Sequence, residues 1–342
     1  MTAGLRPAYL CVDEFMRDVV GARALQSALE LGLIDVFLRS ETVDRRSLAS
    51  RLRLEPRALE LLLGMLQANG VIEQHDGSVV LSQRFRAALK FRDLLQAKLE
   101  FAALVTADFL VMFTPLLAEP ERFFEQARIF DLFSYGRCFE ATPENVAMTR
   151  RWMHFTSALT RYEAQACIEL HDFSSSRRLL DVGGNSGEFA LRICRAHAGV
   201  HATVLDLPVV CQVGQAHVGV EVEAARIDFI ETTGADTDFP SGFDTVCFKS
   251  MLHDWPDHEM RGFLERAYHA LDVGGRLLIF ERGLLEVGAS QIPYSLIPIM
   301  LFFRSYRSAE DYVMHLEQIG FREIILKTIE LEMPFMLVTA VK

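Results

Sequence analysis

The sequence predicts an α/β fold: a mostly parallel sheet of seven strands whose last pair is an antiparallel hairpin, preceded by a helical N-terminal region of winged-helix type. Three observations lead there. From residue 178 onward, strand-like runs alternate with helical ones, the pattern of a parallel sheet with helices on both faces. The last two runs, 323–329 and 335–341, are separated by only a few residues, too short for a crossover, so they pair antiparallel. Before residue 90 the order is helix, helix, hairpin.

Residues 9–20 and 22–37 carry apolar residues at helical spacing, ending in LELGLIDVF. Residues 47–52 and 56–69 read as two shorter helices, the second stopped by Gly70. Residues 71–74 and 79–81 form a hairpin around His75-Asp76-Gly77-Ser78. Winged helices often bind DNA, but here the would-be recognition helix, PRALELLLGMLQANG, has Arg57 as its one basic residue. Phosphates and base edges need cations and polar groups, so this helix suits burial against protein. Residues 91–170 read as helical and rich in aromatic residues. Most of these pack a core, and some line an apolar chamber. The expected domains are 1–90, 91–170 and 171–342.

Net charge is −11, which argues against nucleic acid or an anionic membrane as partner. The start, MTAGLRPAYLCVDEF, lacks a signal-peptide core, and the apolar stretches 101–117 and 295–303 are interrupted by Asp108 or too short to span a bilayer. Six cysteines with no CxxC pair fit reduced thiols in a cytoplasmic protein.

The remaining strands are expected at 178–182, 202–205, 226–230, 243–249 and 276–280. The first runs into LLDVGGNSGEF, residues 179–189. An apolar run meeting glycines and then an amphipathic stretch is a strand turning into a helix around something that needs close backbone approach. Val182 stands where the first glycine of a dinucleotide fingerprint belongs, which, with the terminal hairpin, disfavours NAD. Asp206 ends the second strand, about 20 residues on, placed for a ribose diol. FDTVCFKSMLHDWPDHEM ends the fourth with Lys249 and then His253, on the same crevice. A histidine there can take a proton near neutral pH. Asp254 and Asp257 read as caps of the next helix. No metal-ligand cluster stands out.

DVGGNSG, then DLP, K-x-x-x-HDW, GGRLLIFE and RSAEDYVMHLEQIGF resemble the plant-type (class I) S-adenosylmethionine-dependent O-methyltransferases and their bacterial relatives that methylate small aromatic metabolites. The resemblance covers nearly the whole chain. It implies a Rossmann-like methyltransferase sheet, a winged-helix dimerisation domain at 1–90, a helical linker at 91–170 lining the acceptor pocket, and a homodimer. It implies S-adenosylmethionine as cofactor, S-adenosylhomocysteine as product and a small-molecule acceptor. Gly183 would approach the methionine part of the cofactor, Asp206 the ribose, and Lys249 would contribute to the pocket. His253 would be the general base, oriented by Glu281, with Asp311 as a second acid.

Two positions depart from the family. Asn185 replaces the third glycine of D-x-G-G-G-x-G, although asparagine tolerates left-handed backbone. The residues after the third strand lack the usual Gly-Asp that holds adenine. Counting forward puts the acid near Thr233, and counting back puts it at Asp236, the favoured position. The segment IPYSLIPIMLFFRSYRS is unusually apolar, which points to a flat or greasy acceptor. The same fold with a changed reaction, or C- or N-methylation, stands as the alternative.

Overall fold

The structure is a computed structural model that describes residues 7–39, 45–75, 78–234, 237–285 and 292–342. The chain forms two compact units, one from residues 8–120 and 287–301, the other from the remainder. The stretch 91–170 is divided between these units at residue 120.

The first unit opens with a 3-10 segment, Ala8–Phe15, and α1 (Val19–Glu30), capped by Asp18, which accepts the Gly21 N–H at 2.5 Å. Gly32, at φ +71°, separates α1 from α2 (Leu33–Arg39), so the helix expected over 22–37 is broken by a left-handed glycine. Then come α3 (Arg45–Leu52), α4 (Pro56–Ala68) and the hairpin β1 (Ile72–His75) with β2 (Ser78–Leu81), the winged order. Its tip, residues 76 and 77, lies outside the described residues. α4 buries Leu59, Leu62, Leu63 and Leu66. Leu29, Leu33, Ile34, Val36 and Phe37 of LELGLIDVF are also buried, whereas Leu31 is exposed.

α5 (Gln83–Ala88) and α6 (Arg92–Ala118) follow. α6 leaves helical geometry at Met112 (φ −128°), just ahead of Pro115, whose ring removes the bond to the Val111 carbonyl. Leu110 and Val111 are 77% exposed. By length and composition alone, Gln83–Ala118 is long and apolar enough to cross a membrane, contrary to the expectation from Asp108, and 28% of its apolar window is buried.

The second unit begins with α7 (Pro120–Gln126), two 3-10 turns and α8 (Pro143–Leu170), where Thr142 caps and Pro143 occupies the first turn. Next come β3 (Arg178–Val182), α9 (Glu188–Ala196), β4 (His201–Asp206), α10 (Pro208–Val218), β5 (Ile227–Glu231), β6 (Phe243–Lys249), α11 (Asp257–Ala270) and β7 (Leu271–Arg282). A short turn of the first unit, α12 (Ile297–Met300), intervenes before α13 (Ala309–Ile319), β8 (Arg322–Glu330) and β9 (Pro334–Val341).

The sheet order is β5-β4-β3-β6-β7-β9-β8. β9 runs antiparallel to both β7 and β8, and the other pairs are parallel. β9 is buried between two neighbours, so PFMLVTAV can be almost wholly apolar. β8 is the outer strand and largely exposed. Leu180, Phe248, Leu277, Ile279 and Val338 of the sheet form a core with Met260 and Leu264 of α11 and Tyr312 and Leu316 of α13. Strand order reverses between β3 and β6, and ligands of open α/β sheets gather beyond the strand ends at such a point.

Candidate active site

The glycine turn follows β3 and has no room for side chains. Gly183 has φ +64°, and a Cβ there would come within 2.5 Å of the Met251 side chain. A Cβ on Gly184 would come within 2.6 Å of Asp181 Oδ2. Asp206, at the end of β4, accepts the Asn185 N–H at 2.8 Å and the Leu207 N–H at 2.7 Å, one on each oxygen. A carboxylate has about four lone-pair sites, so each oxygen can still accept from a diol. Burial pushes the Asp206 carboxyl up to about 6, against the two N–H donors. Asp181 is fully buried beneath the turn, with no partner for either oxygen among the described residues. Burial, then the Asp206 charge, pushes it up to about 7. Two desolvated carboxylates beside a bare backbone turn fit a ligand carrying both positive charge and a diol, as S-adenosylmethionine does.

Asn185 sits at φ +55°. Its Oδ1 accepts the Ser186 N–H at 2.8 Å and the Thr156 hydroxyl at 3.1 Å. The side chain thus fastens the turn to α8. Asn185→Gly is expected to weaken S-adenosylhomocysteine binding less than about threefold in calorimetry, under the net worth of one hydrogen bond. A larger loss would mean that the amide touches the cofactor.

α8 grips this region with a stripe of polar residues. Ser157 donates to Ser186 at 2.7 Å, and Arg161 reaches Glu188 at 3.3 Å. Lys249, at the end of β6, donates to Thr160 at 3.0 Å and forms an ion pair with Glu163. Glu163 also takes Arg282, which in turn meets Glu332 at 3.2 Å and Ser250 at 3.2 Å. The Lys249 ammonium, expected in the cofactor pocket, therefore lies in a buried charge cluster. Glu163 and Arg282 were missed in the sequence, because their partners lie far away along the chain.

His253 is buried and its Nδ1 stands 2.8 Å from Glu281 Oε2. Glu281 Oε1 accepts the Met251 and Leu252 N–H groups at 2.6 and 2.9 Å. An ionised carboxylate only accepts, so Nδ1 carries the proton and Nε2 is the basic nitrogen. Burial opposes the imidazolium, but the Glu281 and Asp254 charges outweigh it and hold the imidazole above its usual pKa. Glu281 is kept below its usual value: burial works the other way, and the His253 charge and hydrogen bond prevail. Arg307 holds the loop from its carbonyl side, donating to Leu252 at 2.9 Å and Trp255 at 2.5 Å.

Aromatic rings surround this base. Tyr306 lies 5.3 Å and Phe302 5.9 Å from the imidazole, ring centre to centre. Phe302 leads on through Phe133 and Trp152 to Tyr135, which stacks on Trp255.

Asp311 does not join the base. Its Oδ2 accepts the Ser308 N–H at 3.0 Å and hydroxyl at 2.8 Å, and its own N–H bonds the Ser308 hydroxyl, a capping box that starts α13. Asp254, expected as a cap, instead lies beside the imidazole, and α11 begins after Pro256 without a side-chain cap. Asp257 pairs with Arg307 at 2.8 Å. Of the adenine candidates, Asp236 lies outside the described residues. Thr233 is exposed and bonds Thr237 at 2.9 Å.

Residues 117–322, more than half of the chain, match the model of the O-methyltransferase domain. The chain is 29% identical to 3-hydroxy-5-methyl-1-naphthoate 3-O-methyltransferase of Streptomyces sahachiroi, over 76% of this chain and 73% of that protein. It is 24% identical to the mitomycin biosynthesis 6-O-methyltransferase of Streptomyces lavendulae, over 94% and 91%. Among solved structures, the mitomycin 7-O-methyltransferase MmcR superposes with a TM-score of 0.72 at 22% identity, covering 94% of each chain. PigF with SAH gives 0.69 at 24% identity, over 94% of this chain and 96% of that one. These superpositions bear out the fold expected from the β/α alternation and terminal hairpin. The chain belongs to the O-methyltransferase domain family, whose members act with S-adenosylmethionine.

Proposed function

We propose that this enzyme methylates a hydroxyl of a small aromatic metabolite, with His253 as general base. The observation that carries the reading is His253 itself: a buried imidazole with its Nδ1 proton held by Glu281, inside a ring of aromatic side chains. When bound, S-adenosylmethionine supplies a methyl group already activated on a sulfonium sulfur. The chain's residues position the acceptor and receive its proton. Asp206 accepts the ribose hydroxyls, Gly183 lets the backbone approach the methionine portion, Lys249 braces the pocket wall, and Asp236 or Thr233 meets the adenine. One relative, 27% identical, is named L-tyrosine C(3)-methyltransferase, so transfer to an aromatic carbon is the second reading.

Calorimetry with S-adenosylhomocysteine tests the cofactor site. One molecule per chain is expected, bound roughly 100-fold more weakly by Asp206→Ala, which loses hydrogen bonds to a charged acceptor worth about 1.5–3 kcal/mol each. Affinity is expected to fall as pH drops through about 6, where Asp206 takes up a proton and loses acceptor capacity. No binding by the intact protein would sink the reading. Transfer of labelled methyl to acid-stable, base-stable carbon rather than to oxygen would favour the second.

We also propose a homodimer, in which the exposed apolar residues Leu110, Val111 and Leu117 of α6 are covered by the second copy. A cytoplasmic location accords with six free cysteines. Light scattering would give the oligomeric state.

A further inference from the structure

The imidazole of His253 is flanked by two acids. Glu281 holds Nδ1, and Asp254 Oδ1 lies 3.4 Å from Nε2. The other oxygen of Asp254 accepts the Tyr135 hydroxyl at 2.6 Å. Tyr135 is itself fixed on two sides. Its ring lies nearly parallel to Trp255 (6.4 Å, 13°) and tilts against Trp152 of α8 at 5.7 Å. Two carboxylate oxygens thus have separate tasks: one is tied to the phenol, and the other is left facing the basic nitrogen. Asp311, the acid expected there, is engaged at the start of α13.

We propose that Asp254, aimed by Tyr135, is the second acid of the base and stabilises the imidazolium formed when His253 takes the acceptor's proton. This rests on His253 being the base. The acceptor O–H bond breaks, its proton goes to Nε2 and its electron pair forms the new O–CH3 bond. The pair of the broken S–CH3 bond stays on sulfur. Positive charge therefore moves from sulfonium to imidazolium, between Glu281 and Asp254. Among the described residues, the tyrosines near the ring are not competing anions. Tyr306 is held protonated by burial, and Tyr312 likewise. Arg282 opposes the imidazolium, but Glu163 and Glu332 meet its charge. Asp254 is the acid whose side chain keeps some exposure, 20% against none for Glu281, so it also offers the proton a way to solvent.

Tyr135 is a positioning residue, acting through Asp254. The imidazole can be followed without any acceptor, by NMR of 13C-histidine-labelled protein, with His253 assigned by its loss in His253→Gln. Asp254→Asn is expected to lower the His253 pKa by about one unit, the low end for removal of an opposite charge at this range. Tyr135→Phe is expected to lower it less, because Asp254 without the phenol donor holds its own proton more readily. Asp254→Glu should restore most of the shift. Asp311→Asn should leave the imidazole unmoved. An unchanged His253 pKa in Asp254→Asn, or an equal shift in Asp311→Asn, overturns the proposal. Neither result touches the base reading, which fails separately if His253→Gln keeps its turnover.

Discussion

His253→Gln is expected to lower turnover by roughly 10²–10⁴-fold while S-adenosylhomocysteine binds as in wild type, since general base catalysis contributes about that factor. The geometry separates the two effects. Asp206 and the glycine turn sit at the ends of β3 and β4, whereas His253 follows β6 and meets Glu281 of β7. Glutamine at 253 keeps a hydrogen-bonding amide but cannot act as a base at neutral pH. The pH profile adds a sign. The imidazole is held above 6.5, so the acid limb of turnover should fall at higher pH than for a free histidine. Below that limb Nε2 is already protonated and cannot accept the acceptor's proton. Methyl transfer from labelled cofactor, followed from pH 5 to 9, checks both. Loss of cofactor affinity together with turnover would mean that His253 shapes the pocket instead.

Glu163→Ala is expected to destabilise the fold by about 3–5 kcal/mol, the usual result of removing one member of a buried ion pair. Glu163 is 1% exposed and serves two cations, Lys249 and Arg282. Arg282 keeps Glu332 at 3.2 Å, whereas Lys249 is left with the Thr160 hydroxyl at 3.0 Å among the described residues of this cluster. Denaturant unfolding monitored by circular dichroism would measure the loss. Glu163→Met combined with Lys249→Met should recover a good part of it, because charge and partner leave together. A single variant as stable as wild type would show that water reaches the cluster and screens it.

Strand positions were legible because a buried parallel sheet writes itself as apolar runs. Arg178–Val182 and Phe243–Lys249 fall where the runs predicted. The helix break at Gly32 was harder, because a glycine inside an apolar periodic stretch reads equally as a tolerated interior residue. The site was legible where residues lie near their strand ends: Asp206 ends β4, and His253 lies four residues past the end of β6. It was not legible where partners are distant in sequence. Tyr135 lies 119 residues from Asp254, and Glu163 86 from Lys249. Residues 156–163, TSALTRYE, carry the only local trace, polar residues at helical spacing in a helix otherwise read for its aromatics. Asp254 lies beside the imidazole and Asp311 at the start of α13, the reverse of the expected placement, for a related reason. Aspartate suits both a helix start and an imidazole, and only the fold decides between them.

α8 divides along its length. Trp152 joins the aromatic rings, whereas Thr156, Ser157, Thr160, Arg161 and Glu163, one to three turns further on, hold the turn and strand ends. On the proposed function, recognition of the variable molecule and retention of the constant one fall on successive stretches of one helix. Mutation can explore new acceptors at the first stretch while the second goes on holding the cofactor machinery, which makes this helix a natural place for the enzyme's substrate range to drift.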